Sequence, residues 1–139
     1  MTRSRTGVIV VGIDGSPCSK VALRWAEDYA ARIGGSLILV TAWHWPTSYG
    51  APIAYDGFEP EEDARKVVEA AKADVSLPLD RVTTVVAHGQ PGDVLVDAAK
   101  EAAALVVGTR GHGGFAGALL GSTSSYCVHH AQCPVVVVR

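Results

Sequence analysis

The run Gly7-Val8-Ile9-Val10-Val11-Gly12-Ile13 constrains this chain more than any other feature. It is continuously apolar and mostly β-branched. A strand with one wet face alternates apolar and polar residues. A strand that does not alternate is buried on both faces, as in a parallel sheet covered by helices on either side. Ser36 to Ala42, Val82 to Ala87, Leu105 to Val107 and Val135 to Val138 supply four more candidate strands.

Helical patterns separate them. Ser16 is a natural N-cap and Pro17 a natural first helical residue. Ala22, Ala26, Tyr29 and Ile33 then follow at i, i+4, i+7 and i+11, with Lys20, Arg24, Glu27 and Ala31 opposite, until Gly34-Gly35 stops the helix. Glu59 to Ser76 predicts a second helix, with acids crowding its first turn where the dipole favours them. Pro91 opens a third, with Val94, Leu95, Ala98 and Ala102 on one face. A fourth runs from about Ser122 to His130 and ends before Pro134. The order βαβαβαβαβ predicts a parallel sheet between two helical layers. Ligands of such sheets bind at the carboxyl ends of the strands, where the strand order reverses.

The chain has 139 residues, which at roughly 100–200 residues per domain predicts a single domain spanning 1–139. Residues 1–6 read as a disordered tail and 43–58 as a long loop without periodicity. Apolar residues make up 48% and charged residues 19%, a globular balance. A net charge of −2 gives no basic field for nucleic acid or anionic membrane. The longest apolar runs fall short of the roughly 20 residues that span a bilayer. Asp14 breaks the first run at the short limit of a secretory core, and no cleavage site follows. Three cysteines, Cys18, Cys127 and Cys133, form no disulfide framework. Together these features predict a cytoplasmic protein.

The chemistry concentrates late in the chain. Six of the fifteen glycines lie between Gly108 and Gly121, and no Asp or Glu follows Glu101. Glycines let backbone N–H groups approach a ligand closely, and concave runs of such groups bind anions. The segment ends in Ser122-Thr123-Ser124 at a helix start, where free N–H groups and the dipole favour phosphate. A flexible surface loop capped by Ser122 is the plainer alternative. No Gly-Lys pair exists, which excludes a P-loop. Gly111-x-Gly113-x-x-Ala116 fits a dinucleotide fingerprint only formally, since no acid follows to hold a ribose.

Gly108-x-x-Gly111, nine residues, then Gly121-Ser122 resembles the nucleotide-binding signature of the universal stress protein family. Asp14-Gly15-Ser16-x-x-Ser19-x-x-Ala22-Leu23, Gly89-x-Pro91 and His130-Ala131-x-Cys133-Pro134-Val135 are similar to its other motifs, so the likeness covers nearly the whole chain. It implies a Rossmann-like α/β/α fold with a five-stranded parallel sheet in the order 3-2-1-4-5. It also implies an ATP-binding regulatory protein of stress responses. Gly108, Gly111, Gly121, Ser122 and the hydroxyls of Thr123 and Ser124 would hold the triphosphate, with Thr109, Arg110, His112 and Gly113 in the same loop. Asp14 would lie near ribose, phosphate or Mg²⁺, beside Gly12, Gly15 and Ser16. Val40 and Thr41 would flank the adenine.

Some readings stay open. An Asp after a buried strand often only fixes an Asx-turn. Cys127, His129, His130 and Cys133 suggest zinc, but without a Cys-x-x-Cys pair structural thiols fit better. Trp43, Trp45 and Tyr49 either cover an adenine or pack on one another. No dedicated catalytic set is present, so any ATP hydrolysis would be slow and incidental. A nucleotide-free interaction module and a nucleotide-dependent transferase are the alternatives of other classes. The four valines of the last strand predict a homodimer through the Pro134–Arg139 edge.

Overall fold

The computed structural model describes residues 7–45, 47–48, 51–52, 59–110 and 120–139. The expected tail, 1–6, lies outside these residues, as do 46, 49–50 and 53–58 of the expected loop. Five strands form one parallel sheet: β1 (Val8–Gly12), β2 (Ser36–Trp43), β5 (Val82–His88), β6 (Ala104–Gly108) and β7 (Val135–Val138). A two-residue antiparallel ribbon, β3 (Thr47–Ser48) with β4 (Ala51–Pro52), interrupts the stretch expected as a loop. The sheet order is β5-β2-β1-β6-β7. Counting sheet strands alone, that is the expected 3-2-1-4-5.

Register sets the strand ends level. Gly12 pairs with Val40, Val11 with Val106, and Gly108 with Val138. Helices α1 (Pro17–Ile33) and α2 (Pro60–Ala73) cover one face, while α3 (Pro91–Ala98) and α4 (Ser122–His130) cover the other. The first strand shows why it cannot alternate. Ile9 and Val11 enter one core with Ala22, Ala26, Val68 and Val106, and Val10 enters the other with Val40, Leu95, Leu105 and Cys127.

Helix α1 departs from its expected face. Ala22 and Ala26 are fully buried, but the buried stripe continues through Leu23 and Ala30, leaving Tyr29 37% and Ile33 43% exposed. Small residues let the helix lie close on the sheet, and that proximity excludes the larger stripe. Ser16 caps α1 by accepting from the Ser19 amide at 3.2 Å. At the far end the Arg81 guanidinium donates to the Ala30 and Gly35 carbonyls, placing positive charge where the dipole is negative. Helix α2 stops at Ala73, short of Ser76, whose amide instead donates to Glu27 at 2.6 Å. Helix α3 ends at Ala98, so Ala102 is buried in the turn before β6 and not on the helix. Among the described residues no helix is long and apolar enough to cross a membrane.

Candidate functional site

Strands β1 and β6 are neighbours whose connections leave in opposite directions, so a crevice opens at their carboxyl ends. Its volume is about 290 Å³, at the lower end of small-molecule pockets. Three helix amino ends reach it. Ser19 comes from the first turn of α1, Pro91 opens α3, and Ser122, Thr123 and Ser124 form the first turn of α4. Gln90, before α3, makes no side-chain capping bond, and Gly121, before α4, has no side chain to offer. Among the described residues no side chain of the preceding residue caps α3 or α4, and the dipoles of both helices favour an anion.

The glycine-rich segment is closed at its base. Gly121 N–H donates to the Thr109 carbonyl at 2.6 Å. The Ser124 hydroxyl bridges the same carbonyl at 3.0 Å and that of Gly121 at 3.1 Å. Ser124 is 2% exposed, and its O–H serves this closure and not an anion. Thr109 N–H donates to Val138, tying the segment to β7. Gly108 is required by packing: a Cβ there would stand 2.7 Å from Cys18 Cβ and 2.9 Å from the Cys18 backbone. Close approach of α1 to the end of β6 thus brings two helix amino ends to one crevice. Gly111, His112 and Gly113 lie outside the described residues.

Of the residues read from the sequence, the crevice brings together Gly12, Asp14, Val40, Gly108, Arg110, Gly121, Ser122, Thr123 and Ser124. Gly15, Ser16, Thr41 and Thr109 do not line it. Gly15 turns the chain with φ +81° and borders a separate groove between α1 and α2. Ser16 is the buried cap of α1. Thr41 points to the opposite face of β2 from Val40, donating to the Ile13 carbonyl at 2.8 Å. Asp14 adopts the Asx-turn: its Oδ1 accepts from the Ser16 amide at 2.8 Å, and the exposed carboxylate stays at the crevice mouth. Ala42, Pro91, Leu95 and Val107 complete an apolar half of the crevice that sequence reasoning missed. The period of two along β2 was the available signal for Ala42, since it shares the face of Val40.

The aromatic and cysteine candidates pack elsewhere. Trp43 meets His88 edge-on at 4.6 Å and Trp45 at 6.3 Å, outside the crevice; Tyr49 lies outside the described residues. No group of metal-ligating side chains forms among the described residues. Cys127 is fully buried, and burial, with Cys133 beside it, pushes its thiol up to about 11. His129 bonds the Ser125 carbonyl oxygen through Nδ1 at 2.8 Å, and His130 lies against the Tyr126 ring at 4.2 Å. The Tyr126 hydroxyl donates to Asp93 at 2.5 Å, joining α4 to α3 and holding the phenol above its usual pKa.

Fold and crevice define a doubly wound α/β protein with a crevice at the switch point of its sheet, reached by three helix amino ends. The universal stress protein family model matches residues 6–139, and the chain belongs to that family. It is 39% identical over 135 residues to a universal stress protein of Mycolicibacterium smegmatis, covering 94% of this chain and 45% of the relative. The chain therefore spans about half the length of that relative. Universal stress protein UspA of Lactobacillus plantarum superposes with a TM-score of 0.74 at 26% identity, covering 97% of this chain and 99% of that one. A universal stress protein solved in complex with cAMP gives 0.62 at 30% identity, covering 95% of each.

Proposed function

We propose that this chain binds ATP in the β1–β6 crevice and acts as a nucleotide-dependent regulatory protein of stress responses. The observation that carries the reading is the convergence of three helix amino ends on a crevice whose other half is apolar. Helix amino ends favour phosphate, and Val40, Ala42 and Leu95 suit the flat face of a base. The relative solved with cAMP supports an adenine nucleotide as the ligand class. The Gly108-x-x-Gly111…Gly121-Ser122 spacing supports a triphosphate. In this reading the Ser122 and Thr123 backbone N–H groups hold phosphate, Gly121 closes the loop base through the Thr109 carbonyl, and Arg110 supplies counter-charge. Gly111, His112 and Gly113 contribute from the same loop. Thr109 and Ser124 hold its base, while Gly15 and Ser16 hold the turn that presents Asp14.

Asp14 is the one carboxylate among the described crevice residues. Mg²⁺ characteristically takes one or two carboxylates plus phosphate oxygens, so Asp14 would hold the ion, which neutralises phosphate charge when bound. No nucleophile paired with a general base lines the described crevice, so hydrolysis is slow and incidental. Calorimetry with ATP, AMP and cAMP, each with and without Mg²⁺, tests the reading. ATP with Mg²⁺ should bind tightest. Absence of heat with all three overturns nucleotide binding, and tighter cAMP binding moves the ligand to the cyclic monophosphate.

The same reading includes a homodimer on β7. Among the described residues that strand pairs with β6 along one edge only, and its four valines are all half-buried. Such an edge calls for a partner strand, and a two-fold axis would supply a second β7, antiparallel. The Pro134 and Val138 carbonyls bond β6, so the Val137 amide faces the outer edge, and Val137→Pro should convert the dimer to a monomer in light scattering while circular dichroism stays near native.

A further inference from the structure

Strand β5 is the opposite edge of the sheet from β7. It is the longer of the two, seven residues against four, and Val82-Thr83-Thr84-Val85-Val86-Ala87-His88 contains no Lys, Arg, Asp, Glu or Pro to guard it. The Gly89 amide donates to the Trp43 carbonyl at 2.8 Å, so the backbone of Gly89 is turned toward β2. Strand residues alternate in this respect, and the N–H and C=O groups of Thr84, Val86 and His88 therefore face away from the sheet. Among the described residues no strand pairs with them.

A groove runs beside this edge. Helix α2 covers β5 on one face, whereas α3 stands over β1 and β2 and leaves β5 at its margin on the other. The groove between α3 and β5 measures about 460 Å³. Ile38, Val85, Ala87, Val94 and Ala98 make its floor apolar, and the exposed Asp93 and Asp97 stand at its rim, one helical turn apart. Asp93 accepts from the Tyr126 hydroxyl and Asp97 pairs with Lys100 at 3.0 Å, which leaves acceptor positions on both carboxylates. Among the described residues no Lys or Arg lines the groove. On the α2 face a third acid, Glu69, accepts from the Thr84 hydroxyl at 3.3 Å beside the same edge.

We propose that β5 takes up an extended basic segment of another protein as an added strand. The outward N–H and C=O groups of Thr84, Val86 and His88 supply its ladder. Every second side chain of the added strand then points to the α3 face, where it meets an apolar floor with acids at the rim. Lysine and arginine suit both parts. Their methylene stems lie on Val85, Ala87 and Val94 while the charged heads reach Asp93 and Asp97. A second copy of this chain does not suit this edge. Two-fold pairing of β5 with itself would bring Asp93 and Asp97 toward their own counterparts on the same side of the sheet, like charge against like. The inference is independent of nucleotide binding, because Thr84, Val86 and His88 do not line the β1–β6 crevice.

Titrating the isotope-labelled full chain with an acetylated octapeptide of alternating lysine and threonine tests this, read by amide hydrogen exchange and calorimetry. Exchange at the Thr84, Val86 and His88 amides should slow at least about tenfold at saturating peptide. Binding should weaken as salt rises, and an octapeptide of alternating glutamate and threonine should not bind. Asp93→Asn/Asp97→Asn should raise the dissociation constant of the lysine peptide at least about fivefold. The exchange measurement uses the wild-type chain, so it decides even if the double variant misfolds. Unchanged exchange at the three amides with about 1 mM lysine peptide, or equal binding of the lysine and glutamate peptides, overturns the proposal. Slowing of the same amides with rising protein concentration and no peptide assigns the edge to a second copy and overturns it as well.

Discussion

The Gly121 amide donates to the Thr109 carbonyl at 2.6 Å, so the two ends of the glycine-rich segment meet before the segment begins. Ser124 locks that meeting with one hydroxyl shared between the Thr109 and Gly121 carbonyls. Glycines lower the stability of an ordered loop. A fixed base sets the α4 amino end beside the end of β6.

Ser124→Ala should therefore act on both stability and binding. The Thr109 and Gly121 carbonyls keep their backbone donors, so only the hydroxyl's own hydrogen bond is lost, which costs about 1 kcal/mol. The substitution also unfastens the loop base, so ATP affinity should fall further than Ser122→Ala lowers it. Urea midpoints and calorimetry measure the two effects. Unaltered affinity in Ser124→Ala would show that the loop is positioned from elsewhere.

Gly108→Ala should destabilise the fold by about 1–3 kcal/mol through overpacking. The added Cβ meets Cys18 Cβ at 2.7 Å and its backbone at 2.9 Å. Cys18→Ala retains that Cβ and should give no relief, whereas Cys18→Gly should recover part of the loss. Equal denaturation midpoints for wild type and Gly108→Ala would remove packing as the reason for this glycine.

Asp14→Asn separates turn from metal. Asparagine keeps an oxygen to accept from the Ser16 amide, the bond now made at 2.8 Å, so the α1 start should persist. Only the charge is lost. The gain in ATP affinity on adding Mg²⁺ should shrink, because a neutral amide is a poorer partner for a hard cation. If wild type and variant respond equally to EDTA, Asp14 is a turn residue alone.

Much of this was legible in the chain. The unbroken Val8 to Ile13 run specified a doubly covered parallel sheet, because each successive side chain had to meet a different core. Helix faces were less legible. Helix α1 carries two apolar stripes, one small and one large, and periodicity alone does not choose between them. Contact distance chooses, and Ala22, Ala26 and Ala30 allow the closer approach. In the crevice, Gly108, Gly121 and the serines after it were visible because they are neighbours in sequence. Leu95 and Val107 join them only through the packing of α3 on β1 and the pairing of β1 with β6. Thr41 was read with Val40 as an adjacent pair, although adjacent strand residues face opposite ways.

The buried thiol predicts how the fold responds to alkali. Burial first, and then the neighbouring Cys133, lift Cys127 to about 11 from an ordinary 9.0. A raised folded-state value means that the native protein holds this proton more tightly than the unfolded chain does. The contribution to stability is complete below the unfolded value and is lost as pH rises through the folded one. Wild type should therefore lose stability between about pH 9 and about pH 11 more steeply than Cys127→Ala, which has no thiol to ionise. The other ionisable groups are common to both proteins, so the difference between the two curves reports Cys127 together with its coupling to Cys133 and Tyr126. Cys127→Ala starts lower at neutral pH, because it leaves a small void in a fully buried position. The two stability curves should thus converge with rising pH, as read by denaturant midpoints at each value. Parallel curves would show that Cys127 titrates alike in the folded and unfolded chains.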